Sequence, residues 1–103
     1  MTYDTSLTYH ISMTDFEWDS EKRDLNLKKH GIDFVGAVKI FDDPNRIEHS
    51  SFRKDEERLQ TIGMVHGVVI SLIYTVRKSK KRIISARRAS KNERGYYEEN
   101  AQR

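Results

Sequence analysis

Residues 57–88 read ERLQTIGMVHGVVISLIYTVRKSKKRIISARR, and this stretch decides the fold. From Val68 to Val76 the chain is nearly continuously apolar, interrupted only by Ser71 and Thr75. A run of this kind tolerates cover on both faces, which predicts a central strand. Nine residues are too few to cross a bilayer as a helix. His66-Gly67 is a tight hairpin turn, so Glu57–Val65 is the strand before it. Arg77 to Lys81 is a charged turn, and Arg82–Arg88 is the strand after it. Strand alternation puts Arg82, Ile84, Ala86 and Arg88 on one face, and Ile83, Ser85 and Arg87 on the other. Val68–Val76 is therefore expected between Glu57–Val65 and Arg82–Arg88.

Working outward, Arg46 to Phe52 alternates loosely and predicts a further strand, broken by Arg53 to Glu56. Before it, Asp19 or Ser20 caps a helix to about Lys29. Its first turn carries Glu21, and its last turn carries Lys28, Lys29 and His30, as the helix dipole favours. Gly31 stands where a left-handed residue ends a helix. Asp33 caps a second short helix whose buried face is Phe34, Ala37, Val38 and Phe41. Asp42-Asp43-Pro44-Asn45 turns the chain out of it. At the other end, Ser90-Lys91-Asn92-Glu93 is a capping box for a last helix through about Ala101. The expected fold is α+β: a small antiparallel four-stranded sheet, two N-terminal helices and one C-terminal helix, with the helices on one sheet face. Residues 1–12 are polar and unpatterned, and Met13 could itself start the chain. Residues 1–15 are therefore expected to be a disordered leader or extension, with 16–103 a single domain.

The chain has 103 residues, 34% of them charged, and ten aromatics, which suits one small packed core. There are no cysteines, so disulfides and thiolate metal sites are excluded, and a reducing, cytoplasmic setting fits. No secretory signal or membrane span is expected. Charge is polarised: residues 1–76 carry 9 basic and 13 acidic side chains, and residues 77–103 carry 10 basic and 3 acidic. A basic end of this sort points to a polyanionic partner, or else to a solvated strand and helix with no ligand.

A mid-strand arginine needs a carboxylate, water or a phosphate, and its planar fork matches phosphate oxygens. A structural pair such as Arg87 with Glu57 is the plainer alternative. Glu57, beside the arginines, could act as a general base or be one more charge in the acidic run Asp55-Glu56-Glu57. The histidines, His10, His30, His49 and His66, lack metal-ligand spacing, so no metal and no cofactor is expected. His49 is expected on a strand surface. Tyr96 and Tyr97, on the last helix, could stack bases or pack in the core. That helix has few apolar positions, and its docking depends on how well those tyrosines pack.

Taken in order, Phe16-Glu17-Trp18-Asp19, Asn26, Lys29-His30-Gly31, Asp33-Phe34, Phe41-Asp42-Asp43, Glu57-Arg58, Gly63, Tyr74-Thr75-Val76-Arg77, Arg82 through Ala89, Glu93-Arg94 and Tyr97 resemble the BrnT toxins. The resemblance covers about residues 16–97. It implies a RelE-like fold, metal-independent cleavage of RNA and inhibition of translation. It also implies neutralisation by a BrnA-like antitoxin that is dimeric and binds DNA, so that DNA is met only through the antitoxin complex. Without a metal, the route is attack of the ribose 2′-hydroxyl on the neighbouring phosphorus. This reading assigns Glu57 as proton acceptor or arginine-orienter, Arg77, Arg82 and Arg87 to the scissile phosphate, and Tyr97 as candidate donor. Lys78, Lys80, Lys81 and Arg88 would contact flanking phosphates. A non-catalytic basic RNA- or partner-binding module is the rival class, and a purely structural partner of an antitoxin is the third.

Overall fold

A computed structural model describes residues 15–102. Residues 1–14, most of the expected leader, lie outside the described residues. The described strands are β1 (Phe16–Glu17), β2 (Ile47–Arg53), β3 (Glu56–Val65), β4 (Val68–Arg77) and β5 (Lys80–Arg88). The helices are α1 (Ser20–His30), α2 (Phe34–Ala37), running into a 3-10 turn at Val38–Asp42, and α3 (Lys91–Ala101). The sheet has five strands in the order β1-β5-β4-β3-β2. Central β4 is paired antiparallel with β3 and β5, as its apolar run requires. The expectation of a four-stranded antiparallel sheet is corrected by β1, which pairs parallel to β5 through Phe16 opposite Lys81 and Glu17 opposite Arg82. A two-residue strand carries no periodicity, so its sequence gives no strand signal.

Three two-residue turns set the registers of β2 to β5. Lys54-Asp55, His66-Gly67 and Lys78-Ser79 all have positive φ at both central residues, the hairpin geometry whose twist matches that of the strands. The ladder of β4 with β5 is regular from Arg77–Lys80 to Tyr74–Ile83, then resumes at Ile73–Ser85. Ile84 is skipped, which makes a β-bulge in β5.

One sheet face is covered by α1, α2 and the 3-10 turn. Phe16, Phe34, Ala37, Val38, Ile40, Ile70, Leu72, Tyr74, Ile83 and Ala86 form the core there. Phe41, expected among the buried residues of the second helix, is only half-buried, and Ile40 is fully buried in its place. The 3-10 winding re-aims the residues after Ala37. It also presses on the sheet at Gly63, where an added Cβ would lie 2.7 Å from Ile40 Cγ1.

Helix α1 docks without an apolar stripe. Leu25 and Leu27 are exposed, and its buried residue is Asn26. The Asn26 amide donates to the Ala86 carbonyl at 2.8 Å and accepts from the Ala86 N–H at 3.1 Å. A second amide hydrogen donates to the Ile32 carbonyl at 3.0 Å. The side chain thus stands in for a neighbouring strand on the outer edge of β5.

Helix α3 corrects the expectation of helices on one face. It packs on the opposite face, at the end where Ile62, Val69, Ala89 and Tyr97 form a second small core with Ile47 beside it. Tyr97 is buried, and its hydroxyl donates to Asp43 Oδ2 at 2.7 Å. Burial and then the Asp43 carboxylate push that phenol up to about 12. Burial works against the charge on Asp43. Hydrogen bonds from Tyr97, the Met64 N–H and the Asn45 N–H outweigh it and hold the carboxyl below its ordinary range. Glu93 completes the capping box with Ser90 and takes both arms of the Arg87 guanidinium, at 2.8 and 2.9 Å. Gln60 Nε2 donates to the same carboxylate at 2.9 Å. One well-packed tyrosine and these polar ties hold α3, while Tyr96 stays exposed.

Two expected outcomes follow from these contacts. Asn26→Ala leaves both Ala86 backbone groups without their partner and should lower stability by roughly 3 kcal/mol in urea unfolding. A loss within a few tenths would contradict the edge-capping role. The Arg87 guanidinium, working against burial, holds the Glu93 carboxyl at about 2 instead of 4.5. A depressed carboxyl stabilises fully above its unfolded value and loses that effect as the pH falls through the folded one. Wild type should therefore lose more stability than Glu93→Gln as the pH falls from neutral towards about 2. Parallel losses in the two proteins would show that the pair contributes nothing.

Candidate nucleic-acid interface

Beyond α3, the second face of the sheet is open. The side chains on it follow from register and alternation. Arg82 is opposite Thr75, Ser85 opposite Ile73 and Arg87 opposite Ser71. These three β4 residues share a face, so Arg82, Ser85 and Arg87 share it too. The bulge is the cause: with Ile84 in regular register, alternation would put Arg82 and Arg87 on opposite faces, as the bare sequence implies. Arg82 and Arg88, expected together, are separated by the same bulge.

The middle of this open face is a shallow groove of about 470 Å³. It is lined by His49, Ser51, Arg53, Arg58, Gln60, Ile73, Ile84 and Ser85, among others. His49 lies opposite Gln60, and Gln60 opposite Ile73, so the groove floor is one cross-strand row. Gln60 Nε2 also donates to Ser71 Oγ at 2.9 Å. Half-buried Ile73 and Ile84 give the floor an apolar surface, and the polar and cationic groups surround it.

Of the arginines here, all but Arg53 are balanced by a carboxylate among the described residues. Arg82 meets Glu17 at 3.1 Å, Arg77 meets Glu56 at 2.9 Å and Arg58 meets Glu56 at 3.3 Å. The Arg77 guanidinium first, and then Arg58, hold the Glu56 carboxyl below its ordinary range, against burial. Hydrogen bonding to Glu93 raises the Arg87 guanidinium further, so its charge is permanent. The pairs at Arg82 and Arg77 are one-third to one-half exposed, a setting in which ion pairs contribute under about 1 kcal/mol and exchange partners readily.

The structure divides the residues expected in the site. Arg77, Lys80, Arg82 and Arg87 stand on the open face, and Lys78 is in the turn beside it with φ 51°. Glu57 does not join them. It lies on the helix-bearing side, opposite Phe52, and accepts the Ser50 hydroxyl at 2.5 Å. The anticipated Arg87–Glu57 pair is replaced by Arg87–Glu93. Lys81 lies over the rings of Phe41 and Tyr74, at 5.3 and 6.0 Å from their centroids. Arg88 borders a separate cavity with His30 and Asp33, between the first helices and β4. Tyr97 is in the second core. Conversely, His49, Arg58, Gln60 and Ser85 belong to the groove although their sequence context did not single them out. The register that places His49 and Gln60 there is set by Lys54-Asp55, a two-residue turn without glycine or asparagine to announce it.

This basic open groove, framed by α3 and the bulged strand, suits an extended polyanion. No helix among the described residues is long and apolar enough to cross a membrane. Among these residues, no three His, Asp or Glu side chains converge as metal ligands. No curated protein matches this chain. Residues 18–93 match the family model described as the ribonuclease toxin, BrnT, of type II toxin-antitoxin systems. That span holds α1, α2, β2 to β5, the bulge and the Arg87–Glu93 pair, and the chain belongs to the BrnT family of ribonuclease toxins.

Proposed function

We propose that this protein cleaves single-stranded RNA in the open groove, without a metal, and so inhibits translation in the cytoplasm until a cognate BrnA-type antitoxin neutralises it. The observation that carries this reading is the convergence of Arg82 and Arg87 on one face, beside a groove lined by Arg58 and His49. In the reaction, the ribose 2′-oxygen attacks the adjacent phosphorus and the 5′-oxygen leaves, giving a cyclic phosphate and a free 5′-hydroxyl. Negative charge grows on the non-bridging oxygens. Arg82 and Arg87, released from Glu17 and Glu93 by the incoming phosphate, offer fixed forks to that charge. Arg77, Lys78 and Lys80 extend the positive surface along the RNA.

The 2′-proton needs an acceptor. Glu57 is directed elsewhere, and His49, which lines the groove, takes its place in this scheme. The leaving oxygen draws its proton from solvent in the open groove. Tyr97 is a poor donor, because its hydroxyl is committed to Asp43 and its phenol is pushed up to about 12.

The carboxylates beside Arg77, Arg82 and Arg87 favour a second reading, a non-catalytic module that grips phosphate by exchanging ion pairs. Incubation of the purified, antitoxin-free protein with RNA in excess chelator separates the two. Cleavage with cyclic-phosphate ends is expected, and intact RNA beside folded protein would leave the binding module.

Single-turnover cleavage at saturating RNA should fall on the order of a hundredfold in Arg82→Ala, without full recovery in Arg82→Lys. His49→Ala should fall by a similar factor. Lys80→Ala should weaken binding and flatten its salt dependence while leaving the chemical step close to wild type. Lys81→Ala, on the other face, should leave both unchanged. If Lys81→Ala slows cleavage and Arg82→Ala does not, the site is on the wrong face.

A further inference from the structure

The edge of β5 is covered at two places only among the described residues. β1 pairs with it at Lys81 and Arg82, and Asn26 binds it at Ala86. Between them, Ile84 and Ser85 are half-buried and reach the surface. They line the open groove and also a second depression of about 210 Å³, whose far wall is Lys22, Leu25, Asn26, Lys29 and His30 of α1. The two hollows thus lie side by side, with Ile84 and Ser85 of the bulge common to both. Positions 22, 25, 26 and 29 share one face of α1 by helical spacing, and Glu21 and Asp24 are not on it. Lys22 and Lys29 are exposed, and among the described residues neither is in an ion pair. Seven residues apart, they are separated by about 10 Å along the helix axis, enough to hold two phosphates instead of one. Leu25 stands between them, 64% exposed, an apolar contact for a ribose or base.

We propose that single-stranded RNA leaves the open groove across the β5 edge at Ile84-Ser85 and continues along α1, where Lys22 and Lys29 hold phosphates beyond the cleavage position. This rests on the reading of the open face as the RNA groove and assigns the rest of the strand's path. Charge and adjacency select the occupant. Lysines without an ion pair among the described residues line the extension, it shares Ile84 and Ser85 with the groove that takes the scissile phosphate, and the bulge leaves the edge between them uncovered.

The test uses 2′-O-methyl RNA, whose blocked 2′-oxygen cannot attack the neighbouring phosphorus. One oligonucleotide spans only the open groove, and a second is long enough to reach α1. Their binding to wild type and to the Lys22→Ala/Lys29→Ala double variant is followed over a range of salt. For the longer RNA, losing two phosphate contacts should lower the slope of log affinity against log salt by about 1.4. Binding of the short oligonucleotide and single-turnover cleavage at saturating RNA should stay at wild-type values. An unchanged slope for the longer RNA overturns the path, as does a variant that keeps RNA affinity and loses only affinity for the antitoxin. Failure of the underlying reading is seen in wild type alone, as absence of binding to either oligonucleotide.

Discussion

One extra residue in one strand governs the working surface of this protein. Skipping Ile84 reverses the alternation of β5 halfway along its length. Upstream residues keep Ile83 in the main core, and downstream residues put Ala86 there, where an unbroken strand would put Ser85. The same reversal sends Arg87 to the face of Arg82. Neither result is available without the other. A regular strand that buried Ile83 would bury Ser85 and Arg87 with it, at a cost that an unpaired guanidinium in an apolar core makes prohibitive. Core packing and the pairing of Arg87 with Glu93 thus select the same irregularity.

The surroundings hold that irregularity in place. Asn26 grips both backbone groups of Ala86 just beyond the bulge, and β1 pairs with the residues just before it. On the open face, Arg87 is fixed by Glu93 of α3, whose helix is anchored in turn by Tyr97 on Asp43. A loop after the 3-10 turn, the last helix and the bulged strand are therefore tied together by a few polar side chains. The small core alone does not supply such directional links, because apolar attraction has no preferred direction.

Much of this was legible from the chain. The apolar run Val68–Val76 located the central strand, His66-Gly67 fixed the register of β3 with β4, and Asp19, Gly31, Asp33 and Ser90 marked helix ends that the structure keeps. These signals are local and chemically specific. What escaped depends on tertiary partners. Phe16-Glu17 becomes a strand only because β5 is beside it, and α3 changes face because Glu93 and Tyr97 find Arg87 and Asp43. The bulge has no glycine, and Lys54-Asp55 and Lys78-Ser79 lack the usual turn residues, so the faces of β2 and β5 could not be fixed in advance. That is why Glu57, Lys81 and Arg88 were grouped with the arginines of the opposite face, and why His49 was passed over. The family, by contrast, was carried by an ordered set of short pieces that needs no face assignment.

The face on which RNA lies is the claim from which the rest follows. Backbone amide chemical-shift mapping with a non-cleavable 2′-O-methyl RNA tests it most directly. The account expects the largest perturbations at His49, Arg58, Gln60, Ser85 and Arg87, with Glu57, Lys81 and Arg88 little changed. Perturbations concentrated at Glu57, Lys81 and Arg88, with a silent open groove, would contradict it.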